Sequence, residues 1–311
     1  MIYDILYIIL GLVMLVKGGD WLVNGASDIA LRARLSSMVI GLTVVGFGTS
    51  MPELLVSTQA ALMGNSGIAI GNVVGSNIAN IALILGVTAL IRPCPTDRKT
   101  LRIDAPFMIL ACVLLTAIGA TGSIGRLAGL IGVGMLVAFI TWQIRDSRKK
   151  TQTEVQEAPK MKLWQAILLV IFSLGVLSVG ADTLIKGASG IATQFGVSDR
   201  IIGLTIVAVG TSLPELFASI MAAHKGETDM AIGNVIGSVT FNILSVIGIA
   251  STICPIHEAN VGFMFDYALM TALGLLLWVF LRTAHLLERY EGAILIAIYV
   301  AYLLRTIFIA S

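Results

Sequence analysis

Long apolar runs separated by short polar breaks organise the whole chain, and nowhere is there the strict alternation of a membrane β-strand. Ten runs can be delimited, at 3–26, 37–62, 68–91, 104–121, 125–144, 163–190, 199–223, 230–252, 263–282 and 290–309. Each is near or above the ~17–25 residues that carry a helix across a bilayer. Backbone groups in hydrocarbon must be satisfied within a helix or a closed barrel, and the barrel pattern is absent. The pattern predicts an all-α integral membrane protein with ten transmembrane helices.

Inside the runs, polar residues recur in one register, shifted by 162 residues. Gly41–Glu53 reads GLTVVGFGTSMPE and Gly203–Glu215 reads GLTIVAVGTSLPE, nine of thirteen positions alike. Ala69–Asn80 (AIGNVVGSNIAN) and Ala231–Asn242 (AIGNVIGSVTFN) agree at eight of twelve. Asp20, Gly25, Ala26 and Ser27 align with Asp182, Gly187, Ala188 and Ser189, and Pro93 and Asp104 with Pro255 and Asp266. Five runs per half is an odd number, so the halves must cross in opposite directions, as in the inverted repeats of transporters. The expected units are a first five-helix repeat (1–144), a polar cytoplasmic linker (145–162) and a second, inverted repeat (163–311).

Composition agrees with the pattern. Hydrophobic residues make up 57% and charged residues 12% of the 311 positions, against about 25% charged in a soluble domain. The net charge of +2 says little about partners; the bilayer is the expected surroundings, and no nucleic-acid partner is expected. Placing the N-terminus outside puts fifteen basic residues in inner loops and only Arg126, Arg200 and Arg305 outside. The positive-inside rule therefore predicts both termini outside, in a multi-pass protein of the cell (inner) membrane. Met1 leads into an apolar run without a basic n-region, so the first run is expected to be a retained helix. Cys94, Cys112 and Cys254 have no close pair and are expected in packing or loop roles. Tyr3, Tyr7, Trp142, Trp164, Trp278 and Tyr290 read as interfacial anchors.

The chemistry lies in the repeated motifs. Glu53 and Glu215 sit within apolar runs, where a carboxylate marks a functional site by default. Thr49 is four residues before Glu53, on the same helical face, and Thr211 stands likewise to Glu215. Pro52 and Pro214 should break their helices and free carbonyls near Gly46, Gly48 and Ala208, tolerable only beside a cavity or a cation. Ser50-x-x-Glu53 also fits a capping box that merely restarts a helix. Ser76 with Asn80, and Ser238 with Asn242, each share a face of the next run; interhelical hydrogen bonding is their simpler role. Gly71-x-x-x-Gly75 and Gly233-x-x-x-Gly237 are expected to pack helices closely. Asp20, Lys17, Asp182 and Lys186 read as anchors, and His224 and Lys225 as loop residues. Carboxylate, hydroxyl, amide and carbonyl oxygens are hard donors, which favours Na⁺ or Ca²⁺ over zinc or copper. Two carboxylates neutralise one Ca²⁺ or two Na⁺, so one cage can hold either in turn, and mutual exclusion gives antiport.

The doubled G-T-S-x-P-E with the doubled G-N-x-x-G-S-x-x-x-N resembles the α-repeats of the calcium/cation antiporter superfamily, most closely its prokaryotic sodium/calcium exchangers. That resemblance implies the second, third, seventh and eighth helices around central ion sites, with long first and sixth helices that slide across them. It implies ligands at Glu53, Glu215, Thr49, Ser50, Thr211, Ser212, Ser76 and Ser238, with Asn80 and Asn242 beside the centre and the carbonyls of Gly46 and Ala208 contributing. Asparagine at both central positions argues against potassium co-transport, because the potassium-dependent branch carries an aspartate there. The expected activity is Na⁺/Ca²⁺ exchange by alternating access, without catalysis or a cofactor, in a monomeric unit. A proton/calcium antiporter using the same glutamates is the alternative. A cation channel is a further one, and a membrane hydrolase has no nucleophile or metal motif to support it.

Overall fold

A computed structural model describes residues 1–150, 158–197, 202, 205–206, 208–257, 259 and 262–310. In chain order the main helices are α1 (Ile2–Ala33), the bent pair α2 (Ser37–Thr49) and α3 (Met51–Leu62), α4 (Ser66–Ile91) and α5 (Thr100–Ala120). They continue with α6 (Arg126–Lys150), α7 (Leu163–Gln194), α8 (Leu213–Lys225), α9 (Thr228–Ile253), α10 (Met264–Ala284) and α11 (Arg289–Ala310). Among the described residues eight helices are long and apolar enough to span, and the α2–α3 pair makes a ninth. The expected seventh run falls on α8, a short turn Ala208–Gly210, and residues outside the described set.

Burial sorts these helices into a centre and a periphery. In its most apolar stretch α9 is 94% buried and α4 72%, whereas α1, α6 and α11 are at 22% and α7 at 28%. The exposed faces of the outer helices are apolar, with Leu6, Leu10, Leu127, Leu130, Ile171 and Phe172 all more than half exposed. That is the inverse of a soluble bundle and suits hydrocarbon as the solvent.

The bundle is clipped at two points. The short strand β1 (Cys94–Pro95) pairs antiparallel with β4 (Leu286–Leu287), and β2 (Ser123–Ile124) with β3 (Ile256–His257). Ile256 lies 162 positions after Cys94, and Leu286 the same distance after Ile124. Each clip therefore joins a loop of one half to a loop of the other, and the two clips use equivalent positions.

Several boundaries differ from the hydropathy reading. α1 continues to Ala33, with Arg32 in its last turn and Arg34 as its left-handed cap at φ 55°. Residues 145–150 extend α6 instead of opening the linker, and residues 151–157 of that linker lie outside the described set. Lys225 is not a loop residue but ends α8, which stops at Gly226 with φ 86°. Its ammonium stands 2.7 Å from the Asp20 carboxylate and 2.9 Å from the Asp20 carbonyl, tying α8 to α1. At the same end Ser37 donates to Glu227 at 2.7 Å, and buried Asp28 accepts the N–H groups of Lys160 and Met161 at 3.0 and 2.6 Å.

Candidate cation site at the centre of the bundle

The chain breaks where proline requires it. α2 and α3 meet at 45° across Ser50, whose φ of −83° and ψ of 4° leave the helical range. Pro52 and Pro214 each occupy the first turn of the restarted helix, the position where a missing N–H costs least. Neither Ser50 nor Ser212 caps that helix with its side chain, so the capping box is not made. The Ser50 hydroxyl instead donates to Glu215 Oε1 at 3.4 Å, across to the other half. The Gly46 carbonyl is not freed by the break: it accepts the Ser50 N–H at 3.2 Å.

Close helix approach brings the motifs together. A Cβ on Gly237 would sit 2.4 Å from the Leu42 carbonyl oxygen, and one on Gly233 2.4 Å from that of Met38. With only hydrogen there, α2 lies against α9. Thr49 then reaches Asn234 Oδ1 at 3.4 Å and Ser238 Oγ at 3.5 Å, and Ser238 donates to the Gly46 carbonyl at 3.5 Å. The equivalents of Met38 and Leu42, residues 200 and 204, lie outside the described residues, so only part of the surroundings of Gly71 and Gly75 is described. Among the described residues a Cβ on Gly71 would meet the Phe263 ring, at 3.4 Å, and one on Gly75 would meet nothing within 4 Å. Both glycines line a cavity of about 460 Å³ that also reaches Ser76, Thr211 and Asp266.

Both glutamates are fully buried. Among the described residues, neither carboxylate oxygen of Glu53 has a hydrogen-bond partner, nor has Oε2 of Glu215. The Ser212 hydroxyl, both amide atoms of Asn80 and Oδ1 of Asn242 are equally buried and unpartnered. Buried polar atoms are almost always paired, so such a concentration of oxygen needs an explanation. A bound cation supplies one, since it satisfies several lone pairs and compensates buried negative charge. Of the other expected ligands, Ser50, Ser76, Thr49 and Ser238 are buried, Thr211 is half-buried on the cavity wall, and Ala208 opens the short turn before the second motif.

Sequence reasoning passed over two asparagines. Asn72 donates to the Glu53 carbonyl at 3.3 Å and to Ser57 Oγ at 2.8 Å. Asn234 donates to the Glu215 carbonyl at 3.2 Å and to Ser219 Oγ at 2.9 Å. Each positions the backbone of the glutamate nineteen residues before it. The signal was the exact recurrence of Asn72 and Ser57 as Asn234 and Ser219 in the 162-residue register. Asn77 was missed as well; it accepts from Asn242 Nδ2 at 3.1 Å.

A buried cage of oxygen donors, assembled at broken helices in the middle of a membrane bundle, defines a membrane transporter of cations. Comparison with known proteins narrows this. The family model described as sodium/calcium exchanger protein matches residues 3–145 and 165–308, and the chain belongs to that family. It is 38% identical to the putative antiporter CaxA of Alkalimonas amylolytica, over 97% of this chain and 98% of that one. It is 34% identical to the sodium/calcium exchanger MaX1 of Methanosarcina acetivorans, over 96% and 97%. Solved structures of the sodium-calcium exchanger NCX_Mj superpose with a TM-score of 0.84 at 33% identity, covering 96% of this chain and 97% of that one.

Proposed function

We propose that this chain exchanges Na⁺ for Ca²⁺ across the cell membrane, one ion species displacing the other from the cage around Glu53 and Glu215. The observation that carries this reading is the set of buried, unpartnered oxygens on both motifs, joined across the halves by Ser50–Glu215 and Thr49–Ser238. Thr49, Ser50, Thr211, Ser212, Ser76 and Ser238, with the Gly46 and Ala208 carbonyls, are the further ligands. Asn80 and Asn242 complete the centre. As neutral amides they bring no third carboxylate, which favours Na⁺ as the counter-ion without K⁺.

The two halves, 1–144 and 163–311, form inverted repeats, with 145–162 on the cytoplasmic side and both termini outside. The equivalent strand clips and the equivalent Asn72 and Asn234 bonds support this symmetry. In that orientation the cavity beside Ser76 and Thr211 opens outward, because Ile68, Phe263 and Thr306 line it. The inner end is held by Lys225–Asp20 and Ser37–Glu227. We read this arrangement as outward-facing, with a single chain as the functional unit.

The test is Ca²⁺ uptake into proteoliposomes with sodium, potassium and proton gradients imposed separately. Uptake should require internal Na⁺ and be indifferent to K⁺. Full-rate uptake driven by a pH gradient without Na⁺ would establish the proton exchanger instead. Linear, unsaturated uptake without any counter-ion would establish a channel.

A further inference from the structure

A second site lies well away from the cage, at the helix ends joined by the β1–β4 clip. Arg98, Arg102 and Pro106 lie at intervals of four, which places them along one face where the chain enters α5. Trp278, Arg282 and His285 form a matching ladder at the end of α10. The two ladders face each other across a half-open cavity of about 600 Å³, within the range of small-molecule sites.

The cavity is built, not incidental. The Trp278 indole N–H donates to the Leu101 carbonyl at 2.8 Å, locking the two helices together. The Arg282 guanidinium lies over the Trp278 ring, 5.2 Å from its centre. His285, at φ 54°, accepts the Thr96 N–H at 2.8 Å, so the strand clip holds the floor in place.

Three arginines thus line one space, and none of the described residues that line it is acidic. Among the described residues none of Arg98, Arg102 and Arg282 is in an ion pair. Acids close by in sequence have other hydrogen-bond or ion-pair partners. Asp97 accepts the Thr100 N–H at 2.7 Å, and Asp104 is bound by Gln143. Asp146 pairs with Lys99, and Glu291 accepts the Glu288 N–H at 2.9 Å. Like charges gathered this way call for an anion.

The surroundings say which kind. The arginines sit at helix ends beside a tryptophan, the level of a bilayer interface. One to two turns deeper, Leu275 and Val279 on α10 and Leu110 and Val113 on α5 are 44–48% exposed. An anion bound here has apolar helix surface directly beneath it. We propose that this cavity binds the headgroup of an anionic phospholipid, its phosphate held by Arg102 and Arg282 and its acyl chains lying against α5 and α10. Basic pockets between helix ends are the general form of such sites.

The test uses purified, delipidated protein in detergent, titrated with dioleoylphosphatidylglycerol and followed by native mass spectrometry. The wild type should retain phosphatidylglycerol and not dioleoylphosphatidylcholine. Arg102→Gln and Arg282→Gln should each weaken binding about fivefold. Arg102→Lys should keep most of it, and Arg148→Gln on α6, outside the cavity, all of it. Monodispersity of every variant on gel filtration guards against misfolding. Unchanged binding by the Arg102→Gln/Arg282→Gln double variant would overturn the proposal, as would equal retention of phosphatidylcholine. Complete displacement of phosphatidylglycerol by millimolar inorganic phosphate would also overturn it, making the cavity a site for a free anion.

Discussion

α4 and α9 carry the same motif, and the structure treats them differently. α9 is sealed: α2 lies on its glycine face, and thirteen consecutive residues from Met230 to Asn242 are buried. α4 presents the equivalent glycines to an open cavity, and its Ile68 is 56% exposed where the equivalent Met230 is 1% exposed. Two nearly identical sequences can meet different surroundings only if the molecule is not symmetric in this state. Among the described residues one copy borders a cavity and the other faces packed backbone. A transporter that alternates would exchange these two environments, which gives the duplication a physical purpose.

The sharpest way to break this comparison is at the glycines. Gly237→Ala puts a methyl group against the Leu42 carbonyl, and overpacking of this kind costs about 1–3 kcal/mol. Gly75→Ala adds a methyl group that meets nothing among the described residues and improves helix propensity, so it should be neutral or slightly stabilising. Thermal unfolding followed by gel filtration in detergent separates the two. Equal losses would mean that the sealed and open faces are not distinct.

Asparagine truncation sharpens the comparison further. Asn234→Ala strips partners from the Glu215 carbonyl and Ser219 in a fully buried site, at about 1–3 kcal/mol. Asn72→Ala should cost less, because half-buried Asn72 borders the cavity and water can replace it. A larger loss at Asn72 would place the open side at the wrong helix.

The smallest effect is on labelling. With Cys254 replaced by Ser, Ile68→Cys should react with a membrane-impermeant thiol reagent and Met230→Cys should not. Remaining Cys94 and Cys112 are buried. Burial pushes the Cys94 thiol up to about 12, with Asp229 adding to the shift. Its thiolate is therefore about one part in ten thousand at pH 8 and rises only as pH approaches that value. Labelling of Met230→Cys at the rate of Ile68→Cys would remove the asymmetry.

Much of this is legible in the sequence. Glu53 and Glu215 stood out because hydrocarbon makes a carboxylate expensive, and Pro52 located the break because it has no N–H to give. The packing of Gly233 and Gly237 was legible as a G-x-x-x-G face, whereas the residues equivalent to their partners, 200 and 204, lie outside the described residues and leave Gly71 and Gly75 an expectation. Asn72 and Asn234 escaped because their partners lie across a turn, where no helix-face rule connects them. Lys225 was read as a loop residue because hydropathy falls at a charge. Its partner Asp20 is 205 residues away, and no local pattern reports such a contact.

The central claim is that the two motifs make one cation cage. Its most direct test is Na⁺-driven ⁴⁵Ca²⁺ uptake by Glu53→Gln and Glu215→Gln, each purified as a monodisperse protein. Losing one carboxylate leaves a Ca²⁺ in the buried cage with uncompensated charge, a cost of several kcal/mol and so more than about a hundredfold in affinity. Either substitution alone should abolish uptake, although the two residues lie 162 positions apart. Near-normal uptake by either variant would contradict the account, because a cage shared by both halves cannot work with half its charge.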